Sequence, residues 1–71
     1  MATEVRSPME GKVLSLEKQV GERVEEDEVV IVMEAMKMEI PVVAPAAGTV
    51  REVNVKPGDA VETDSVLAII D

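Results

Sequence analysis

The chain has 71 residues, a formal net charge of −8 and 31% charged residues, and it contains no cysteine, histidine or aromatic side chain. That length allows a single small domain over 1–71, whose thin core must be filled by β-branched side chains. Without cysteine or histidine, disulfides and ordinary zinc or iron–sulfur centres are excluded, and acidity without aromatic platforms disfavours nucleic acid.

Other classes fall away for similar reasons. The longest purely apolar runs, over 29–33 and 66–70, are far too short to span a bilayer, and the first residues carry no signal pattern. The chain reads as soluble and cytoplasmic, with no membrane partner. Its general bases and nucleophiles reduce to carboxylates, lysines and hydroxyls, on a chain with little room for a substrate cleft. It does not read as an autonomous enzyme.

In chain order, a Pro-x-x-Gly turn from Pro8 to Gly11 opens a strand over 12–16. Its apolar residues Val13 and Leu16 are three apart, where strict alternation needs two or four, so a bulge is expected. Val20-Gly21 marks a turn, Glu25-Glu26-Asp27-Glu28 a second, solvated one, and a buried strand follows over 29–33. After the central connection, residues 39–43 have strand character. The pattern then starts again: Pro45 to Gly48, a strand over 49–55, Pro57-Gly58, Glu62-Thr63-Asp64-Ser65 and a strand over 66–70. Pro-Gly is the pair expected at the centre of a type II turn.

This is an internal repeat. Residues 8–34 align with 45–71 at a shift of 37 without a gap, and Pro8, Gly11, Val13, Gly21, Val24, Glu25, Asp27 and Val29 are identical to their equivalents. Eight identities exceed the roughly two or three that composition would produce. Short strands with closely spaced turns indicate an all-β sandwich or barrel, and two copies suggest quasi-twofold symmetry, each half covering the other's apolar face.

Between the copies lies Glu34-Ala35-Met36-Lys37-Met38-Glu39. A shift of 37 from Lys37 lands just beyond either terminus, so the repeat puts this lysine at one pole and the chain ends at the other. If Met36 and Lys37 form a two-residue hairpin loop, both need positive φ, where Asn-Gly would serve better, and Glu34 faces Glu39. A three-residue loop, Met36-Lys37-Met38, is the other possibility. Either way the turn is not optimised for stability, and such strain tends to mark function. Lys12, Lys18 and Lys56 read as ordinary solvated lysines.

The segment closely resembles the attachment motif of biotinyl domains of the biotin carboxyl carrier type, in the short form without a thumb insertion. The resemblance runs from Ser7-Pro8-Met9-Glu10-Gly11 through Ala44-Pro45 and Gly48 to Pro57-Gly58-Asp59. It implies a flattened barrel-sandwich hybrid of two four-stranded antiparallel sheets. It also implies biotin on Lys37, with Glu34, Ala35, Met36 and Met38 as recognition flanks. The implied partners are a biotin protein ligase, a biotin carboxylase and a carboxyltransferase, between which the carrier shuttles a carboxyl group. Asp27 and Asp64 stand where many relatives have glycine, a change that aspartate's tolerance of left-handed backbone accommodates. A lipoyl carrier shares the fold and the lysine but commonly has Asp before it and a small residue after it. An unmodified barrel-sandwich module would not need Met-Lys-Met.

Overall fold

In the computed structural model, which describes residues 2–71, the chain forms eight strands and no helix. These are β1 (Thr3–Arg6), β2 (Gly11–Leu16), β3 (Arg23–Val24), β4 (Val29–Ala35), β5 (Met38–Val43), β6 (Gly48–Val53), β7 (Ala60–Val61) and β8 (Val66–Ile70). They build two four-stranded antiparallel sheets, ordered β1-β8-β6-β3 and β5-β4-β2-β7. The expected sandwich is present, within an envelope of 32 × 17 × 16 Å. No helix is long and apolar enough to cross a membrane among the described residues.

A shift of 37 carries β2, β3, β4 and β5 onto β6, β7, β8 and β1, so the operation that relates the repeats exchanges the sheets. Backbone hydrogen bonds obey it. The Gly21 amide donates to the Val50 carbonyl at 2.8 Å, and the Gly58 amide donates to the Val13 carbonyl at 2.8 Å. The symmetry also reaches further than residues 8–34. Val5 and Val42 are equivalent, both are buried, and β1 and β5 are the matching edge strands.

The halves do not simply face each other, as the repeat alone suggested. β3 leaves the sheet of β2 and β4 to pair with β6, and β7 crosses the other way to pair with β2. Each copy therefore contributes strands to both sheets. A two-residue strand cannot form a sheet alone, so β3 and β7 are stable only as borrowed edges.

Alternation along the strands makes the core. Nine of the fourteen buried hydrophobic side chains are valine or isoleucine, joined by Leu67, Met33, Ala35, Ala44 and Ala68. Ladder rows such as Val13–Met33–Ile40 and Leu16–Ile31–Val42 point inward. The expected bulges occur: the register slips between Val13 and Ser15, and between Val50 and Glu52. Ser7, equivalent to the buried Ala44, is the one buried polar side chain among the described residues. Its hydroxyl donates to the Met9 carbonyl at 2.6 Å.

Candidate functional site

The central connection is a two-residue loop. β4 and β5 pair through Glu34↔Glu39 and close at Ala35↔Met38, leaving Met36 and Lys37 to turn the chain. Their φ angles are 53° and 63°, the left-handed pair that a type I′ hairpin requires. Neither is glycine or asparagine, so both side chains are held in a region costly for L-residues. The two-residue alternative is thus the one realised, with the like-charged pair across the stem that it entails. Lys12 on β2 stands beside Glu34 in the ladder and places a positive charge on the other side of that carboxylate.

Solvent surrounds the tip. Met36 is 83% exposed and Met38 60%, so neither fills the core, and Lys37 is exposed between them. Ala35 is buried and anchors the stem; Glu34 points outward. None of the ion pairs among the described residues involves Lys37, which leaves its amine unengaged. A lysine so held can present its amine, or a group joined to it, with little protein in the way.

Beside the hairpin lies an open groove of about 580 Å³, lined by Met36 and Lys37 of the tip, Glu34 and Ala35 of its stem, residues 10–12 and residues 60–62. β2 reaches this place because Gly11 has no side chain: a Cβ there would run into the Glu34 carbonyl oxygen and approach Met33 Cε to 2.7 Å. The repeat marks Gly11 through its identity with Gly48, which passes the Asp71 carbonyl oxygen in the same way. Nothing in the sequence marks Ala60 or Glu62 as neighbours of the tip, because β7 arrives there only through the strand exchange.

A sequence model of the biotin/lipoyl family, described as "Biotin-requiring enzyme", matches residues 3–70. The chain belongs to the biotin/lipoyl family. A relative within the family, the biotinylated protein TB7.3 homolog of Mycobacterium leprae, is 37% identical over 70 residues. The match covers 99% of this chain and 99% of that protein. The dihydrolipoyllysine-residue acetyltransferase component of the Mycoplasma genitalium pyruvate dehydrogenase complex is 43% identical over 61 residues, 86% of this chain but 16% of that protein. In the crystal structure of Kluyveromyces lactis urea carboxylase, the matching region has a TM-score of 0.96 at 35% identity, covering 100% of this chain and 6% of that one. This biotin/lipoyl chain thus spans nearly all of one relative and a small part of two much longer proteins.

Proposed function

We propose that this chain is a biotin carboxyl carrier: a single non-catalytic domain over 1–71 with biotin amide-linked to Lys37. The observation that carries this reading is the hairpin itself. An unpaired lysine sits at a strained two-residue tip between two methionines that stand in solvent instead of the core. Similarity to a biotinylated protein along the full chain, and to part of a urea carboxylase, supports biotin as the group.

The residues fit such a group. Lys37 would hold it, and Met36 and Met38 would present apolar surface to the enzyme that attaches it, with Ala35 and Glu34 setting the stem. When bound, biotin supplies a ureido ring able to take up and give up a carboxyl group. The chain's own part is to hold the tether at a rigid, exposed end and to place it at one partner and then another. Tethering makes each encounter effectively intramolecular. The partners implied are a biotin protein ligase, a biotin carboxylase and a carboxyltransferase.

A lipoyl carrier is the second reading, favoured by the similarity to a dihydrolipoyllysine acetyltransferase. Met36 and Met38, where that reading calls for an acidic and a small residue, place it behind biotin. The two separate by intact mass after co-expression with biotin protein ligase and biotin. Biotinylation adds about 226 Da and converts an amine to an amide, taking the formal net charge from −8 to −9 by loss of one positive charge. Lys37→Arg is expected to abolish the adduct while the fold persists. An adduct on another lysine, or lipoate in place of biotin on protein isolated from its own host, would overturn the assignment.

A further inference from the structure

Lys37 is itself part of the groove's lining, so a group joined to its amine begins at the groove. Glu34, Lys12 and Ala60, all exposed, form one row there across β4, β2 and β7. Neighbouring strands lie about 4.8 Å apart, so the row spans roughly 10 Å of sheet. A lysine side chain extended by biotin's acyl arm is roughly 14 Å long before the ring begins. The ring on such an arm reaches every part of this row.

The internal symmetry supplies a comparison within the molecule. β3 is the equivalent of β7, and Arg23 pairs with Thr49 in the register in which Ala60 pairs with Lys12. Where β7 has Ala60, β3 thus has Arg23, whose guanidinium bonds Glu25, the equivalent of Glu62, at 3.2 Å. Beside Lys37 an alanine stands in place of that arginine, which leaves room, and Glu62 keeps no ion-pair partner. Glu10, Lys12 and Glu34 form no ion pair among the described residues either. Once the Lys37 amine becomes an amide, the groove has three carboxylates that only accept hydrogen bonds and one ammonium that only donates. Met36 and Ala60 add exposed apolar surface. A cyclic urea fused to a thioether ring has two N–H donors, one carbonyl acceptor and an otherwise apolar body, and it matches that inventory.

We propose that the groove is an intramolecular resting site for the biotin group carried on Lys37, with Ala60 as the position that keeps it open. The proposal rests on biotin at Lys37 and adds where the group lies when no partner holds it. Affinity need not be high. A short tether sets an effective concentration in the millimolar range, so a site of millimolar affinity is about half filled. Such a contact covers part of the apolar ring and yields to any partner that binds the ring more tightly.

The test compares backbone amide NMR spectra of the unmodified and biotinylated chain, with Lys37→Gln measuring the effect of losing the charge alone. Biotinylation is expected to shift the amides of residues 60–62 beyond their change in Lys37→Gln, and to give nuclear Overhauser contacts from the ring to the Ala60 methyl. Ala60→Arg installs the residue that the equivalent position already carries, and a thermal melt should show it folded. On biotinylation of Ala60→Arg, the shifts at Val61 and Glu62 are expected to fall to the Lys37→Gln level while those at Met36 and Met38 persist. A biotinylated parent whose shifts stay within the hairpin overturns the resting site while leaving Lys37 as the attachment site. Undiminished shifts at Val61 and Glu62 in folded Ala60→Arg overturn it as well. Shifts that grow with protein concentration assign the groove to the group of a second copy and overturn the intramolecular site. A parent chain that takes no biotin at Lys37 overturns the attachment reading and the resting site with it.

Discussion

The turns at 19–22, 25–28, 56–59 and 62–65 and the hairpin at 35–38 all reverse the chain, but they are built to different standards. In each of the four, the amide of the last residue donates to the carbonyl of the first at 3.0–3.1 Å. The side chain of that last residue, Glu22, Glu28, Asp59 or Ser65, accepts a hydrogen bond from the amide of the first. A single position in each has positive φ, filled by Gly21, Asp27, Gly58 or Asp64. Apart from the left-handed aspartates Asp27 and Asp64, the hydrogen bonding of these turns favours stability. The hairpin has two adjacent left-handed residues, neither of the types that tolerate it, a like-charged pair across its stem and two methionines in water. One chain thus contains both solutions to the same geometric problem. Where the turn only has to hold the sandwich together it is relaxed; where it presents Lys37 it is strained. The strain is affordable because the stem is gripped from below by β2 and by the buried Ala35.

That grip is where the comparison breaks most severely. Gly11→Ala brings a methyl group against the Glu34 carbonyl oxygen and Met33 Cε, forcing β2 away from the hairpin stem. We expect a loss of about 2–3 kcal/mol, measured by urea unfolding.

Next in size is removal of the strain itself. Met36→Asn/Lys37→Gly supplies the residues that a type I′ turn favours and should stabilise the fold by roughly 1–2 kcal/mol, raising Tm by about 5–10 °C. The same variant has no amine at the tip and should take no adduct. An unchanged Tm would mean that the hairpin is as relaxed as the other turns.

The smallest effect separates the two halves. Lys18 bonds Glu28 at 2.9 Å, and the equivalent positions hold Val55 and Ser65, which form no ion pair. The Glu25 amide, then the Lys18 ammonium, hold the Glu28 carboxyl below its ordinary 4.5, and the bond to Glu28 raises Lys18 above its ordinary 10.5. A lowered acid stabilises above its unfolded value and a raised base below its own. The pair therefore contributes fully between those limits, fading as pH falls below 4.5 or rises above 10.5. Both groups lie at the surface, so the effect is slight. Lys18→Val should lower Tm a little at pH 7, and the gap to the parent should close in acid.

Much of this was legible in the chain. The repeat, the bulges at Val13 and Val50, the Gly21 and Gly58 turns and the left-handed Asp27 and Asp64 follow from local rules: side-chain period, turn chemistry and the tolerance of particular residues for positive φ. Lys37 stood out for the same reason, at a turn whose residues suit its geometry poorly. The equivalence of β1 and β5 was not visible, since Val5 and Val42 are the only identical pair between them. Burial on two related edges is a property of the assembled sandwich.

By itself, then, the sequence determined an all-β repeat and a central lysine between two methionines, because these depend on residues near one another in the chain. Only the tertiary structure decided the rest. Loop length at Lys37 depends on the register of β4 against β5. The exchange of β3 and β7 depends on which open edge each can reach. The groove beside the hairpin depends on residues far apart in sequence that meet only when the sheets close. Local preference selects the turns and strands, and long-range packing selects which of them become neighbours.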